Sequence, residues 1–178
     1  MSEGAIYTAR LPRKLALEAS RRGFDVEALI IEALIEKLNL DPGEEAATRV
    51  ELAEYFLEEA KKYIEAGDAV QASEKLYKVA EECIKALAVK FRVPEVEEAR
   101  REGRWWTKLL ARASRTLSAV LNDPMIRYAW EDAYDLHVWG FREVAYSIDH
   151  VRLSIPTIEQ LLARTKELVN FQFHDSSP

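Results

Sequence analysis

Apolar residues recur at three- and four-residue spacing over most of the chain, the period of helices that bury one face. The plainest case is Ala69 to Ala88, where Ala72, Leu76, Val79, Cys83, Ala86 and Leu87 form one stripe. Small residues at Ala72 and Ala86 let a neighbouring helix come close. Asp68 and Gln71 supply the start signal, and Gly67 the stop for the helix before it. That preceding helix opens at Asp41-Pro42-Gly43-Glu44, with proline at the first helical position. Further helices are predicted over 105–121 and, from Asp123-Pro124, over 125–151. Arg92 to Gly103 is expected as a loop with a short turn. Pro156 and the Thr157–Gln160 box are expected to open a last helix.

The N-terminus has its own pattern. Ala5 to Leu11 alternates as a short strand would, Pro12 to Arg22 reads as a helix, and Asp25 caps a second with an apolar face ending at Leu38. This order is similar to a ribbon-helix-helix unit. That resemblance implies paired strands entering a DNA groove, with Thr8, Arg10, Arg13 and Lys14 as the contacts. The competing reading is a plain structural arm. The expected organisation is an N-terminal arm and helical hairpin over 1–40, an all-α antiparallel bundle over 41–172, and a flexible tail over 173–178.

Composition narrows the class. The chain has 178 residues, 48% hydrophobic and 31% charged, enough for one sizeable core. No apolar run approaches a membrane span, and the first residues hold no signal-peptide core. One cysteine, Cys83, excludes an intramolecular disulfide, so a cytoplasmic protein is expected. A net charge of −6 argues against a surface coated with nucleic acid, though not against a local basic patch.

Candidate chemistry is sparse. Glu74, Lys78, Glu81 and Lys85 line the polar side of the 69–88 helix and are expected as a solvated face with four-residue ion pairs. Lys75, Lys78 and Lys85 become a phosphate site only if Arg104 converges on them. On the 125–151 segment Trp130, Ala133, His137, Phe141, Val144 and Ile148 form one stripe. Asp135, Trp139, Arg142, Tyr146 and Asp149 form the reverse side, which predicts a second contact surface and a homodimer. His137 is expected as a hydrogen-bonded core histidine. The three histidines and one cysteine have no zinc spacing, and no phosphate-loop, dinucleotide or nucleophile-elbow motif occurs, so no metal, cofactor or catalytic residue is expected.

Ala72–Tyr77, Ala80-Glu81-Glu82, Lys85–Ala88, Gly103-Arg104-Trp105, Leu136-His137 and Gly140-Phe141 together resemble the PaREP family of archaeal proteins, which looks like a branch of the HEPN helical domains. The resemblance runs from about Leu11 to Val151. It implies a HEPN-like bundle, association with nucleotide or nucleic acid, and in some members a nucleotidyltransferase partner. Lys75, Lys78, Lys85, Arg104, Trp105, Asp135, Trp139, Arg142 and Tyr146 are then the binding candidates. HEPN ribonucleases place a histidine four to six residues after an arginine. Here nine residues separate Arg127 from His137 and seven separate Arg142 from His150. Family members often have histidine after Gly-Phe, where this chain has Arg142. A non-catalytic binding or accessory protein is the expectation. A divergent metal-independent ribonuclease and a DNA-binding regulator are the alternatives.

Overall fold

A computed structural model describes residues 8–23 and 26–170. Among these residues every regular element is a helix, and they divide into two compact units, Met1–Asp41 and Pro42–Pro178.

The first unit contains α1 (Arg13–Arg21) and α2 (Val26–Leu38). Pro12 fixes the start of α1, its carbonyl accepting from the amides of Leu15 and Ala16. Gly23, at φ +77°, ends it. Residues 5–7 of the expected strand and the expected cap Asp25 lie outside the described residues, and Thr8 to Leu11 carry no strand. Thr8, Arg10, Arg13 and Lys14 are exposed.

The second unit is a bundle of α3 (Pro42–Glu65), α4 (Ala69–Lys90), α5 (Pro94–Glu102), α6 (Thr107–Val120), α7 (Pro124–Asp135), a π-helical turn (Leu136–Arg142) and α8 (Ile148–Asn170). Its centre is α4. The predicted stripe of Ala72, Leu76, Val79, Cys83, Ala86 and Leu87 is wholly buried, and α3, α5, α6, α7, the π-turn and α8 all pack on α4. As the sequence predicts, Asp68 accepts from the Gln71 amide at 3.0 Å and caps α4. The last helix runs antiparallel to α3 and to α7: Lys166–Glu54 and Lys61–Glu159 bond α3 to α8 in opposite order, and Ser154–Asp132 and Arg164–Asp123 do so for α7 and α8. Beside α4, however, α8 runs the same way, since Thr165 meets Cys83 and the Val169 carbonyl meets Lys90.

Two expectations are corrected. The loop over 92–103 contains a helix, α5, with Pro94 in its first turn, Glu95 and Glu97 facing the helix dipole, and Gly103 at φ +68° closing it. The long helix over 125–151 is broken. After Asp135 the backbone widens into the π-turn, where the Glu143 amide bonds to the Val138 carbonyl at 2.9 Å and the Ala145 amide to the Trp139 carbonyl at 2.7 Å. Val144 then takes φ +52°, through which no right-handed helix continues. The cause lies at Gly140: a Cβ there would come within 2.1 Å of Ser73 Oγ and 2.6 Å of Ser73 Cβ. The backbone presses onto α4 where only glycine fits. The last helix therefore begins at Ile148, with Ser147 Oγ accepting from the His150 amide, and Pro156 lies inside it instead of opening it. Pro156 and Arg152 are both exposed, so water can satisfy the carbonyl that loses its helical donor.

Candidate functional site

The polar side of α4 is not a solvated face. Arg49 and Lys85 are 1% and 2% exposed, and they sit in a chain of alternating charges. Arg49 donates to Glu45 through Nε at 3.0 Å and Nη2 at 2.8 Å, and to Glu82 through Nη1 at 3.0 Å. Lys85 Nζ lies 2.8 Å from both Glu82 and Glu81, and Arg100 reaches Glu45 at 3.5 Å from the surface end. The spacing of four between Glu81 and Lys85 gives the pair the sequence predicts, but buried. Burial pushes the Glu81 carboxyl up, and the Lys85 ammonium opposes that shift. Such a network joins α3 to α4 through Arg49 and Glu82, and the cost of burying its charges offsets much of their mutual attraction.

Lys85 is thereby taken out of the expected phosphate cradle. Lys75 pairs with Glu59 of α3 while its ammonium lies 5.0 Å from the Phe56 ring, and the Lys78 ammonium lies 5.1 Å from the same ring. Burial pushes the Glu59 carboxyl up, but Lys75, helped by Tyr55 and Lys62, outweighs it and holds the carboxyl below the usual range. Arg104 turns elsewhere: its guanidinium lies 3.7 Å over the Trp106 indole. Trp105 packs half-buried against the core, and Trp106 is the exposed ring of the pair. The sequence reading named Trp105 and passed over Trp106, because two adjacent tryptophans carry no sign of which one faces inward.

On the α7 side, His137 is half-buried. Its Nδ1 lies 3.2 Å from Glu74 Oε2, and its ring stacks on Tyr77 and Phe141 at centroid distances of 4.3 and 5.9 Å. The hydrogen-bonded histidine read from the sequence has a carboxylate as its partner. The apolar stripe ends at Phe141, because the break leaves Val144 61% exposed. The break also takes Tyr146 off the reverse side of the helix: it packs against the core and stacks on His150 at 5.8 Å. Asp135, Trp139 and Arg142 stay exposed. His150 is held by Ser147 Oγ at 2.8 Å. Among the described residues no group of His, Cys, Asp or Glu is arranged to hold a metal ion, and no helix is long and apolar enough to cross a membrane.

A model of the archaeal PaREP1/PaREP8 family matches residues 48–162. The chain belongs to that family. Its matched span lies within the second unit, so the N-terminal unit falls outside the family match. A crystal structure of a protein from Sulfolobus solfataricus is 33% identical with a TM-score of 0.62, over 66% of this chain and 96% of that one. The solution structure of the Orf c02003 protein is 32% identical with a TM-score of 0.60, over 68% of this chain and 94% of that one. The two are structures of the same target, a single relative matched nearly end to end, whereas about a third of this chain has no counterpart in it. No curated protein matches.

Proposed function

We propose that this PaREP protein is a non-catalytic helical binding or accessory subunit that works as a homodimer, the copies meeting on the outer side of α7 and the π-turn. The observation that carries the reading is the group of large rings left in water there. Tyr128 is 60% exposed, Trp139 47% and Tyr134 42%. Burying one such ring contributes on the order of 2 kcal/mol, and tyrosine, tryptophan and arginine are the side chains that anchor interfaces. Asp135 and Arg142 give the surface charges of both signs, which suits a self-complementary two-fold contact.

The HEPN resemblance extends this reading to a nucleotidyltransferase partner and to a nucleotide or nucleic-acid ligand. Light scattering at micromolar concentration should give about twice the 20.4 kDa chain mass, and Trp139→Asp should return it to one chain. A monomeric parent protein would sink the reading.

A second reading concerns the N-terminal unit, and one observation favours it. Leu15, Leu17, Leu34 and Leu38 are all exposed on a hairpin too small to hold a core of its own. Pairing of two such units, with Arg10, Arg13 and Lys14 toward duplex DNA, would cover them. Salt-sensitive duplex binding that disappears on deleting residues 1–24 is the expected result.

A further inference from the structure

We propose that the corner between α5 and α6 is a contact site for single-stranded nucleic acid, with Trp106 as the base-stacking platform and Arg101, Arg104 and Lys108 meeting the backbone phosphates. The inference rests on the binding role proposed above and gives it a ligand class and a surface.

Charge is the first observation. From Arg100 to Arg115 six residues are basic and only Glu102 is acidic, in a chain whose net charge is −6. Half of those six are paired: Arg100 with Glu97 and Glu45, Arg112 with Glu98 and Glu95, and Arg115 with Glu131. The cations nearest Trp106 are Arg104, 3.7 Å over its ring, and Lys108, 6.0 Å from its centroid. Arg101 is exposed one turn back on α5.

The second observation is that the exposure of Trp106 is built into the backbone. Gly103 in the left-handed conformation turns the chain out of α5, and the Arg104 amide bonds back to the Ala99 carbonyl at 3.0 Å. Trp105 goes to the core. Trp106 is left extended at φ −80° and ψ 147°, its carbonyl accepting from the Leu109 and Leu110 amides as α6 begins. Its ring is held at the corner, 40% exposed.

An exposed indole with a guanidinium on its face and further cations beside it matches a strand that offers bases and phosphates in alternation. An acidic peptide has no base to stack. A membrane surface would call for apolar residues around the indole, whereas Arg101, Glu102, Gly103, Thr107 and Lys108 surround it in sequence and are all exposed. A duplex hides its base faces.

The test is fluorescence anisotropy of the full chain with labelled oligouridylate and oligothymidylate, each about ten nucleotides long. Binding of either supports the site, and the difference between them tells RNA from DNA. Affinity should fall steeply as salt rises from about 50 to 200 mM. Trp106→Ala should weaken binding about tenfold, while Trp106→Phe should keep most of it. Arg104→Gln with Lys108→Gln should weaken binding and flatten the salt dependence by one to two phosphates, about one per cation. Circular dichroism should show every variant folded, since the ring removed is a partly exposed one.

The proposal is overturned if the parent protein binds neither oligomer at about 50 mM salt. It is also overturned if Trp106→Ala binds like the parent, or if duplex of the same sequence, polyglutamate or anionic vesicles compete as well as free single strand. Light scattering on the same samples separates the two readings. A monomer that binds through Trp106 removes the pairing surface and leaves this site standing, and a dimer indifferent to Trp106 does the reverse.

Discussion

The imidazole of His137 and the carboxylate of Glu74 meet at 3.2 Å, tying the π-turn to α4 across 63 positions of sequence. With Tyr77 stacked on one side and Phe141 near by, the ring is both packed and hydrogen-bonded. His137→Ala should therefore cost on the order of 1–3 kcal/mol in urea unfolding, from the lost hydrogen bond and the incompletely filled space. Oligomeric state and ligand binding of the mutant, measured where it stays folded, should match the parent. A mutant as stable as the parent that loses a binding or cleavage activity would move His137 from architecture to chemistry.

Arg49 offers the sharpest test of the buried ion network. Its guanidinium binds Glu45 and Glu82 together and is 1% exposed, so removing it leaves two buried carboxylates with only Arg100 and Lys85 as partners. Arg49→Ala should cost about 3–5 kcal/mol, far beyond the 0.2–1 kcal/mol of an exposed pair. Replacing Arg49, Glu45 and Glu82 together with apolar residues of similar volume should recover most of the loss. A loss under about 1 kcal/mol for Arg49→Ala would mean that water reaches the network.

How far the sequence could be read follows from which interactions are local. The caps at Asp68 and Asp123 bond to Gln71 and Met125 within three residues, so helix starts there were visible in the chain itself. Signals for α5 were present too, in Pro94 and Gly103, but its nine residues carry little apolar periodicity. The π-turn had no local signal beyond Gly140, because its cause is the approach of Ser73 from another helix. The buried charges misled for the same reason. Glu81 and Lys85 look like a surface pair until Arg49 of α3 meets Lys85 on the shared carboxylate of Glu82. At the candidate site Arg104 reads in the sequence as a cation that would join Lys75, Lys78 and Lys85, whereas it lies over Trp106, since only the backbone turn after Gly103 decides which indole faces out.

Alkaline pH should destabilise the fold. Burial pushes the Cys83 thiol from 9.0 up to about 12, against a hydrogen bond with Thr165, and burial likewise pushes the Tyr77 hydroxyl up, with the Glu81 charge adding to the shift. The folded chain thus keeps protons that the unfolded chain releases. The stabilisation is complete below about pH 9 and is lost as pH rises toward the folded values, by up to about 1.4 kcal/mol per unit for each proton. Urea midpoints at about pH 8 and 10.5 should show the fall, and Cys83→Ala should lessen it. At about pH 8 a maleimide should label Cys83 only after unfolding, because the buried thiol is neither ionised nor accessible.

Val144 gives a prediction of opposite sign. A β-branched residue at φ +52° holds strain of about 1–2 kcal/mol, and its side chain is 61% exposed, so little packing repays it. Glycine takes the same conformation freely but loses about 0.5–1 kcal/mol more backbone entropy on folding. Val144→Gly should therefore raise stability by roughly 0.5–1 kcal/mol, the difference between those terms. Val144→Ala, which relieves the branching but leaves a Cβ in the left-handed region, should fall between the two. If pairing of two copies covers Val144, the gain seen in dilute monomer should shrink or reverse at concentrations where the protein is dimeric. Urea midpoints of the variant and parent, taken across a range of protein concentration, read both effects in one series.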